Sequence, residues 1–346
     1  MLVKDIALIN PKSDINKYSF INYVDTSSVF EGKLLNIQVL KDNYPSRAQR
    51  ELQERDILIS SVRPNLMHNY FVKSMIPGFI ASSGFIQIRV FDTKIIPQYL
   101  YYFLTTKNNV ETYISIASSS QTTFPAFSKE VIENLAIPNI TIEKQQHIVD
   151  TIGSVDNLIE KYDSLIANYT RILELKFLSM LQQEMDIYYL HQICDIKYGT
   201  SISASNLTYN YKYPVYGANG VIGTLPTYEH ENYKISISCR GAASGNIILT
   251  EPESTISSNS LYLNLFNDNN KFYIYQYLKH SKLQNSSTGS AQPQITIENI
   301  KTLEIKIPKN KSDYNMEDEI LVLISKHKKQ ISILRDIKQA LLSKYF

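Results

Sequence analysis

The amino-acid sequence predicts an α+β protein built from two similar mixed α/β globules, each followed by a long helix. A phrase at residues 124–138, FPAFSKEVIENLAIP, returns at residues 292–308 as QPQITIENIKTLEIKIP. Short β-rich runs alternate with Gly, Asn, Ser and Pro clusters, which is typical of strands joined by turns. Two further stretches carry apolar residues at alternating spacings of three and four, which is typical of paired helices.

The internal repeat extends well beyond this phrase, and self-similarity of this kind decides the domain organisation. DILISSVRP (56–64) resembles YKISISCRG (233–241), and this alignment pairs Arg63 with Arg240. Three more segments match in the same order along the chain: LVKDIALI with YLHQICDI, ASSGFIQI with ISSNSLYL, and YLYYFL with YIYQYL. We therefore predict an ancient duplication, with globular domains over 1–138 and 187–308 and helical regions over 139–186 and 309–346.

Each globular half is predicted to contain strands and one helix of ordinary length. The predicted strands are DILISSV, FIASSGFIQIRVF, KISISC and NSLYLNLF. The predicted helices are PQYLYYFLTTKNNVETYI and KFYIYQYLKHSKLQN, whose apolar residues recur at three and four.

Each half closes with a heptad seam that predicts a partner helix. The residues predicted to pair on the first seam are Ile152, Ile159, Tyr162, Ile166 and Leu173; those on the second are Ile324, Ile331, Leu334 and Leu341. A seam this narrow favours a helix as its partner over a broad core. The alternative is that each helix packs on its own globule. Residues 139–186 carry 4 basic and 8 acidic groups, and residues 309–346 carry 8 and 5, so opposite charges favour an antiparallel pair.

Such a pair would place the two globules at opposite ends of a rod, related by an approximate twofold axis. At about 1.5 Å per residue the first helix would span roughly 60 Å and the second roughly 45 Å. Two similar readers could then meet DNA about one turn, ~34 Å, apart on one face.

Composition and charge exclude several classes of protein. The chain of 346 residues is 43% hydrophobic and 20% charged, as expected of a globular protein of more than one domain. No run of 18 apolar residues predicts a membrane span. Two cysteines are too few for a disulfide framework, so we expect a cytoplasmic protein.

Motifs for catalysis are missing, with one weak exception. The sequence contains no phosphate-binding loop, no Gly-rich cofactor loop after a strand and no metal-like histidine group. Glu304 and Lys306 have the spacing of a nuclease E-x-K, because alternate strand positions share one face. A salt bridge on a strand is the simpler interpretation.

Three groups of segments resemble specificity (S) subunits of type I restriction-modification systems. PSRAQRELQERDILISSVRPN (45–65) is similar to one form of their target-recognition domains. YPVYGANGVIGTL (213–225), together with SCRGAASG (238–245), is similar to another form. IPNITIEKQQHIVDTI (137–152) resembles the helical region that ends each half in that family. The likeness covers essentially the whole chain.

The resemblance implies a reader of double-stranded DNA without catalytic residues or a cofactor of its own. Each target-recognition domain would read one half of a split sequence, and the helices would set the spacer and dock two methyltransferase subunits. S-adenosylmethionine would act in those partners, and ATP and Mg²⁺ in the restriction (translocase) subunits that can join. No membrane is involved.

Candidate DNA contacts follow from side-chain chemistry, because Arg suits guanine edges, Asn and Gln suit adenine, and Ser suits phosphate. The loop-borne candidates in the first domain are Arg47, Arg50, Arg63 and Gln121; in the second they are Tyr216, Asn219, Arg240, Ser244 and Gln292. The arginines could instead form internal ion pairs, and the glycines of YGANG also fit a hairpin without a ligand.

Two other functions remain open at this point. The chain could be a coiled-coil adaptor whose globules bind proteins, or a sequence-specific endonuclease that uses the E-x-K strand. Both globular halves are nearly neutral, with 14 basic and 12 acidic residues in 1–138 and 9 and 8 in 187–308. Since phosphate contacts supply much of any DNA affinity, we expect weak binding by the chain alone.

Overall fold

The chain forms two compact units in a computed structural model that describes residues 1–119, 125–208, 211–267, 271–281, 283, 294–309 and 315–346. The first unit comprises Met1–Lys161 and Ile331–Phe346, and the second comprises Tyr162–Gln330. Both units combine helices and sheets, so the predicted α+β class is confirmed.

The described residues of the first unit include ten strands and three α-helices that lie wholly within it, besides parts of two long helices. The strands are β1 (Ala7–Ile9), β2 (Ile21–Val24), β3 (Val29–Phe30), β4 (Lys33–Leu34), β5 (Gln38–Leu40), β6 (Ala48–Glu51), β7 (Ile57–Ser60), β8 (Asn69–Phe71), β9 (Phe79–Ser82) and β10 (Phe85–Val90). The helices are α1 (Pro97–Leu104), α2 (Lys107–Ser118) and α3 (Lys129–Glu133). A long helix, α4 (Ile142–Met180), begins here and ends in the second unit.

The second unit repeats this inventory in shorter form. Its elements are β11 (Met185–Tyr189), α5 (Leu190–Ile193), β12 (Cys194–Tyr198), β13 (Tyr213–Gly217), β14 (Gly220–Leu225), β15 (Ile235–Ser238), β16 (Ile247–Leu249), β17 (Thr255–Ile256), β18 (Ser260–Leu265), α6 (Lys271–His280), α7 (Ile297–Ile300) and β19 (Glu304–Pro308). The second long helix, α8 (Asn315–Tyr345), begins in this unit and ends in the first.

Sheet topology shows the duplication directly. The main sheet has the order β1-β10-β7-β8 in the first unit and β12-β18-β15-β16 in the second. A second sheet contains the parallel pair β2 and β9 in one unit and the parallel pair β13 and β17 in the other. Each strand of the main sheet therefore has a counterpart at the same place in the connection order, as the sequence repeat predicts.

Two predicted elements are interrupted for local reasons. FIASSGFIQIRVF forms two strands, β9 and β10, with a turn at Ser83 and Gly84. The helix predicted over residues 97–114 breaks into α1 and α2 at Thr105 and Thr106. Both threonine hydroxyls donate to carbonyls of the preceding turn, Thr105 to Tyr101 at 3.0 Å and Thr106 to Phe103 at 2.9 Å. Such bonds compete with the helical hydrogen-bond pattern.

The core of the first unit joins the main sheet to both long helices. Tyr99 and Tyr102 of α1 are fully buried beside Ile152 of α4. Leu342 of α8 is buried in the same cluster, and the ring of Phe346 lies 5.2 Å from that of Tyr99. The first unit thus takes part of its core from the last residues of the chain.

Within the first unit α4 and α8 also pair with each other. Lys338 forms an ion pair with Asp156 at 2.7 Å, and the Tyr345 hydroxyl lies 3.4 Å from His147 Nε2. The helices run antiparallel here, because the later residue of α4 meets the earlier residue of α8. Five of the residues predicted to pair lie in this unit. The buried ones are Ile152, Ile159 and Ile331, and the half-buried ones are Leu334 and Leu341.

The second unit contains the other part of each seam. Leu173 and Ile324 are buried in one cluster with Phe177, and Ile166 packs against it. The ring of His327 lies 4.9 Å from that of Tyr162 and stacks on Tyr169 at 5.9 Å. Lys176 pairs with Glu317 at 2.7 Å, so α4 and α8 are again antiparallel within this unit.

We expect both cysteine thiols to be unreactive in the native protein. Burial raises the pKa of Cys194 to about 12, and burial also raises the pKa of Cys239. The thiolate is the nucleophile, so a chromogenic disulfide reagent at pH 8 should react with neither thiol until denaturant is added. Rapid release of the chromophore from the native protein would contradict this expectation.

Candidate nucleic-acid interface

In the first unit, three arginines gather around the turn between β9 and β10. The Arg47 carbonyl accepts a hydrogen bond from the Ser83 N–H at 2.7 Å, and Arg50 Nε lies 3.5 Å from the Phe85 carbonyl. Both the N–H and the hydroxyl of Ser61 donate to the Gly84 carbonyl at 3.0 Å. Arg63 follows Ser61 by two residues, so all three arginines emerge beside one turn.

These arginines differ in their surroundings. Arg47 and Arg63 are exposed, whereas Arg50 is half-buried and burial lowers the pKa of its guanidinium. The Arg63 N–H donates to the Pro125 carbonyl at 2.9 Å, which attaches the turn to the segment that follows α2. The fourth candidate of this domain, Gln121, lies outside the described residues.

The backbone of Arg63 is in the left-handed region, with φ 49° and ψ 60°. An L-residue other than glycine, asparagine or aspartate rarely adopts this conformation, which costs about 1–2 kcal/mol. Pro64 then begins a short 3-10 turn, Pro64–Leu66. Strain of this kind clusters at functional sites, so it supports a role for the Arg63 side chain.

In the second unit, Asn219 and Arg240 lie on one surface. The Ala218 carbonyl, at the tip of the β13–β14 hairpin, accepts hydrogen bonds from Ser238 Oγ at 2.7 Å and Asn246 Nδ2 at 2.9 Å. Asn219 is the next residue along the hairpin, and Arg240 follows Ser238 by two residues. Both are exposed.

Two other candidates of the second unit are buried. Tyr216 is 7% exposed; its hydroxyl accepts from the Glu251 N–H at 3.1 Å, and burial raises its pKa to about 12. Ser244 is 5% exposed. Both side chains therefore lie beneath the surface in this structure, and the Tyr216 hydroxyl contacts the loop at Glu251. Gln292 lies outside the described residues.

The same hairpin exposes apolar residues that the sequence reasoning did not single out. Val221 is 47% and Ile222 is 40% exposed, beside the turn that carries Asn219. Apolar side chains suit the thymine methyl group in the major groove. The sequence nevertheless contains a signal for them. These two apolar residues are adjacent and follow YGANG directly, which breaks the alternation of apolar and polar residues expected of a strand.

Strand pairing corrects the proposed equivalence of Arg63 and Arg240. Ser60 is opposite Phe85 in the first unit, and Ser238 is opposite Ser260, the repeat counterpart of Phe85, in the second. Ser60 therefore corresponds to Ser238. Two residues further along, Arg240 corresponds to Val62. The next residue, Gly241, corresponds to Arg63. The sequence alignment was wrong by one residue, because similarity of letters does not define hydrogen-bond register.

The E-x-K residues lie on β19, which pairs with β11. Glu304 and Lys306 of β19 are opposite Tyr189 and Ile187 of β11. Across the part of the chain that the structure describes, no group of three His, Cys, Asp or Glu residues could hold a metal ion. In the same described part, no helix is both long and apolar enough to span a bilayer.

The fold and these loops define a tandem protein whose two equivalent α+β units each carry polar and basic loop residues on one surface. The family described as type I restriction modification DNA specificity domain matches residues 3–167 and again residues 182–343. The chain belongs to this family and contains its domain twice.

Individual relatives are more distant. The type I restriction enzyme HindI specificity subunit of Haemophilus influenzae is 28% identical over 154 residues, which are 44% of this chain and 33% of that protein. The match thus spans about a third of the relative's length.

A solved structure shares the fold. The crystal structure of a type I restriction-modification S subunit from M. genitalium has a TM-score of 0.65 and 18% identity, over all of this chain and 95% of that one. The HsdS subunit from Thermoanaerobacter tengcongensis covers all of this chain and 95% of its own, at 18% identity and a TM-score of only 0.43. At 18% identity the likeness to the M. genitalium structure concerns the fold alone.

Proposed function

We propose that this protein is the DNA sequence-recognition subunit of a type I restriction-modification complex. Each globular domain, over 1–138 and 187–308, reads one half of a bipartite target, and the helical regions over 139–186 and 309–346 set the spacer. The observation that carries this proposal is the repetition of one topology, with exposed arginines on equivalent turns. Two domains with the same topology are suited to a DNA target that consists of two separate halves.

The partners proposed for this chain are double-stranded DNA, two methyltransferase subunits and the restriction subunits. Apolar side chains on α4 support a docking role, because four large ones are between 43% and 49% exposed. These are Leu158, Ile172, Leu175 and Leu178. A helix of a folded protein rarely exposes so many large apolar side chains to water unless a partner covers them.

S-adenosylmethionine would bind to the methyltransferases, and ATP and Mg²⁺ to the restriction subunit. The chain itself contributes no catalysis, and it acts in the cytoplasm, where its DNA target is.

The first test compares DNA methylation in cells with and without this gene. We expect a split, adenine-methylated motif that disappears when the gene is removed. In vitro, a gel shift should show sequence-specific retention of DNA with methyltransferase subunits and weak retention by the chain alone, since its domains are nearly neutral. Nanomolar binding by the lone chain at physiological salt would contradict the dependence on partners, and Mg²⁺-dependent cleavage by the lone chain would contradict the absence of catalysis.

The second test removes one predicted base contact from the second domain. Arg240→Ala should relax the second half of the methylated motif at one position and leave the first half unchanged. A bidentate arginine–guanine contact contributes about 1–3 kcal/mol of discrimination, which corresponds to roughly a 5- to 150-fold preference. The readout is the fraction of each motif variant that is methylated.

Lys197→Ala is the matched control for this variant. Lys197 is an exposed cation of the same unit, on β12 and therefore on a different strand from the turn. It should leave the motif unchanged. An unaltered motif in the Arg240 variant would exclude Arg240 as a base-reading residue.

A further inference from the structure

The turn that follows β7 in the first unit has a close counterpart after β15 in the second. Val62 forms an isolated bridge with Ala126, and Arg240 forms the same bridge with Gln294. The Phe127 N–H donates to the Ser61 carbonyl at 3.0 Å. In the second unit the Ile295 N–H donates to the Cys239 carbonyl, also at 3.0 Å. Both turns are therefore held by the same backbone contacts from the same later segment of the repeat.

Backbone angles support this residue-by-residue equivalence independently. Arg63 has φ 49°, and its counterpart Gly241 has φ 72°. The left-handed position is therefore occupied by arginine in the first unit and by glycine in the second. Glycine adopts this conformation without steric cost. Arg240, by contrast, has an extended backbone with φ −140° and ψ 150°.

The two positions of the turn direct side chains differently, because an extended and a left-handed residue orient the Cα–Cβ bond differently relative to the chain. The first domain has Val at the extended position and Arg at the left-handed position. The second domain has Arg at the extended position and Gly at the left-handed position. A Cβ built at Gly241 meets no atom within 4 Å, so a larger side chain has space there and its cost is the left-handed backbone at φ 72°.

We propose that this two-residue turn recognises a guanine in each half-site, and that the position of this guanine in the half-site depends on which of the two residues is the arginine. Val62 and Gly241 are then specificity-determining positions, and the ligand is a guanine edge in duplex DNA, which arginine recognises through two hydrogen bonds. The inference rests on the proposed function and adds the residues that distinguish one half-site from the other.

The test moves the arginine of the first domain to the position that it occupies in the second. The double variant Val62→Arg, Arg63→Gly is expressed as the full chain with its methyltransferase partners, and the methylated motif is sequenced. We expect the first half to lose its preference for guanine at one position and to gain it at another, each by roughly 10-fold or more. The second half and the spacer should stay as in the original protein.

Arg63→Gly alone is the matched control. It removes the side chain and relieves the left-handed strain, so the chain should fold at least as well as before, and the first half should lose discrimination at one position without gaining a new preference. A double variant that methylates the original motif, or that behaves like Arg63→Gly, would overturn the proposal.

The reciprocal exchange is an independent test in the other domain. Arg240→Val with Gly241→Arg should move the guanine preference in the second half only, and an unchanged second half in a folded variant would count equally against the proposal. Failure of the proposed function would look different, because the complex formed with the unaltered chain would then methylate no split motif at all.

Discussion

Replacing Asp56 by alanine is expected to lower the free energy of unfolding of the first unit by about 3–5 kcal/mol. Asp56 is completely buried and receives two hydrogen bonds from Arg89, at 2.9 Å to Oδ1 and 2.7 Å to Oδ2. Gln87 Nε2 and the Gln53 N–H also donate to Oδ2, each at 2.7 Å. The alanine variant would leave a largely buried guanidinium and a buried amide with the Glu51 carbonyl as their remaining acceptor.

The measurement for Asp56 should follow the first unit by itself, since a protein with two units need not unfold in one step. Amide hydrogen exchange of β7 and β10 in increasing urea would do this. Asp42→Ala, a change at an exposed carboxylate of the same unit, is the control and should shift stability by no more than about 0.5 kcal/mol. A loss below about 1 kcal/mol in the Asp56 variant would show that the network does not stabilise this unit as argued.

Replacing Lys176 by methionine should destabilise the second unit by a similar amount, about 3–5 kcal/mol. The Glu317 side chain is fully buried, the Lys176 side chain is 19% exposed, and the two charged atoms are 2.7 Å apart. Methionine retains most of the aliphatic length of lysine but removes the cation. The Glu317 carboxylate would then be buried without its counter-charge, which is the costly part of breaking such a pair.

A double-mutant cycle distinguishes this cause from a loss of packing. Lys176→Met combined with Glu317→Leu should recover most of the stability, because two apolar residues leave no buried charge. Lys309→Met is a useful control, since Lys309 pairs with Glu184 at 3.2 Å on the surface and should matter little. If the double variant were as unstable as Lys176→Met, lost packing and not the unpaired carboxylate would be the cause.

Several features of this protein were accessible from the sequence because they depend on local periodicity. Repeated phrases in one order indicated the duplication, which the matching sheet orders now show. Heptad spacing indicated two long helices, and helices span Ile142–Met180 and Asn315–Tyr345. Side-chain chemistry selected Arg63 and Arg240 from the loops, and both lie exposed on turns.

Other features depend on which distant segments meet. Tyr216 and Ser244 looked like surface residues, because a loop composition does not reveal what packs over it. Asp56 with Arg89, and Lys176 with Glu317, are joined only by the folded chain.

The amino-acid sequence by itself therefore determined the two-fold repetition, the α+β class and the long helices, since these follow from patterns that neighbouring residues carry. Only the tertiary structure decided that Arg63 corresponds to Gly241 and not to Arg240. The reason is that hydrogen-bond register between strands, set by residues far apart in the chain, defines which positions are equivalent.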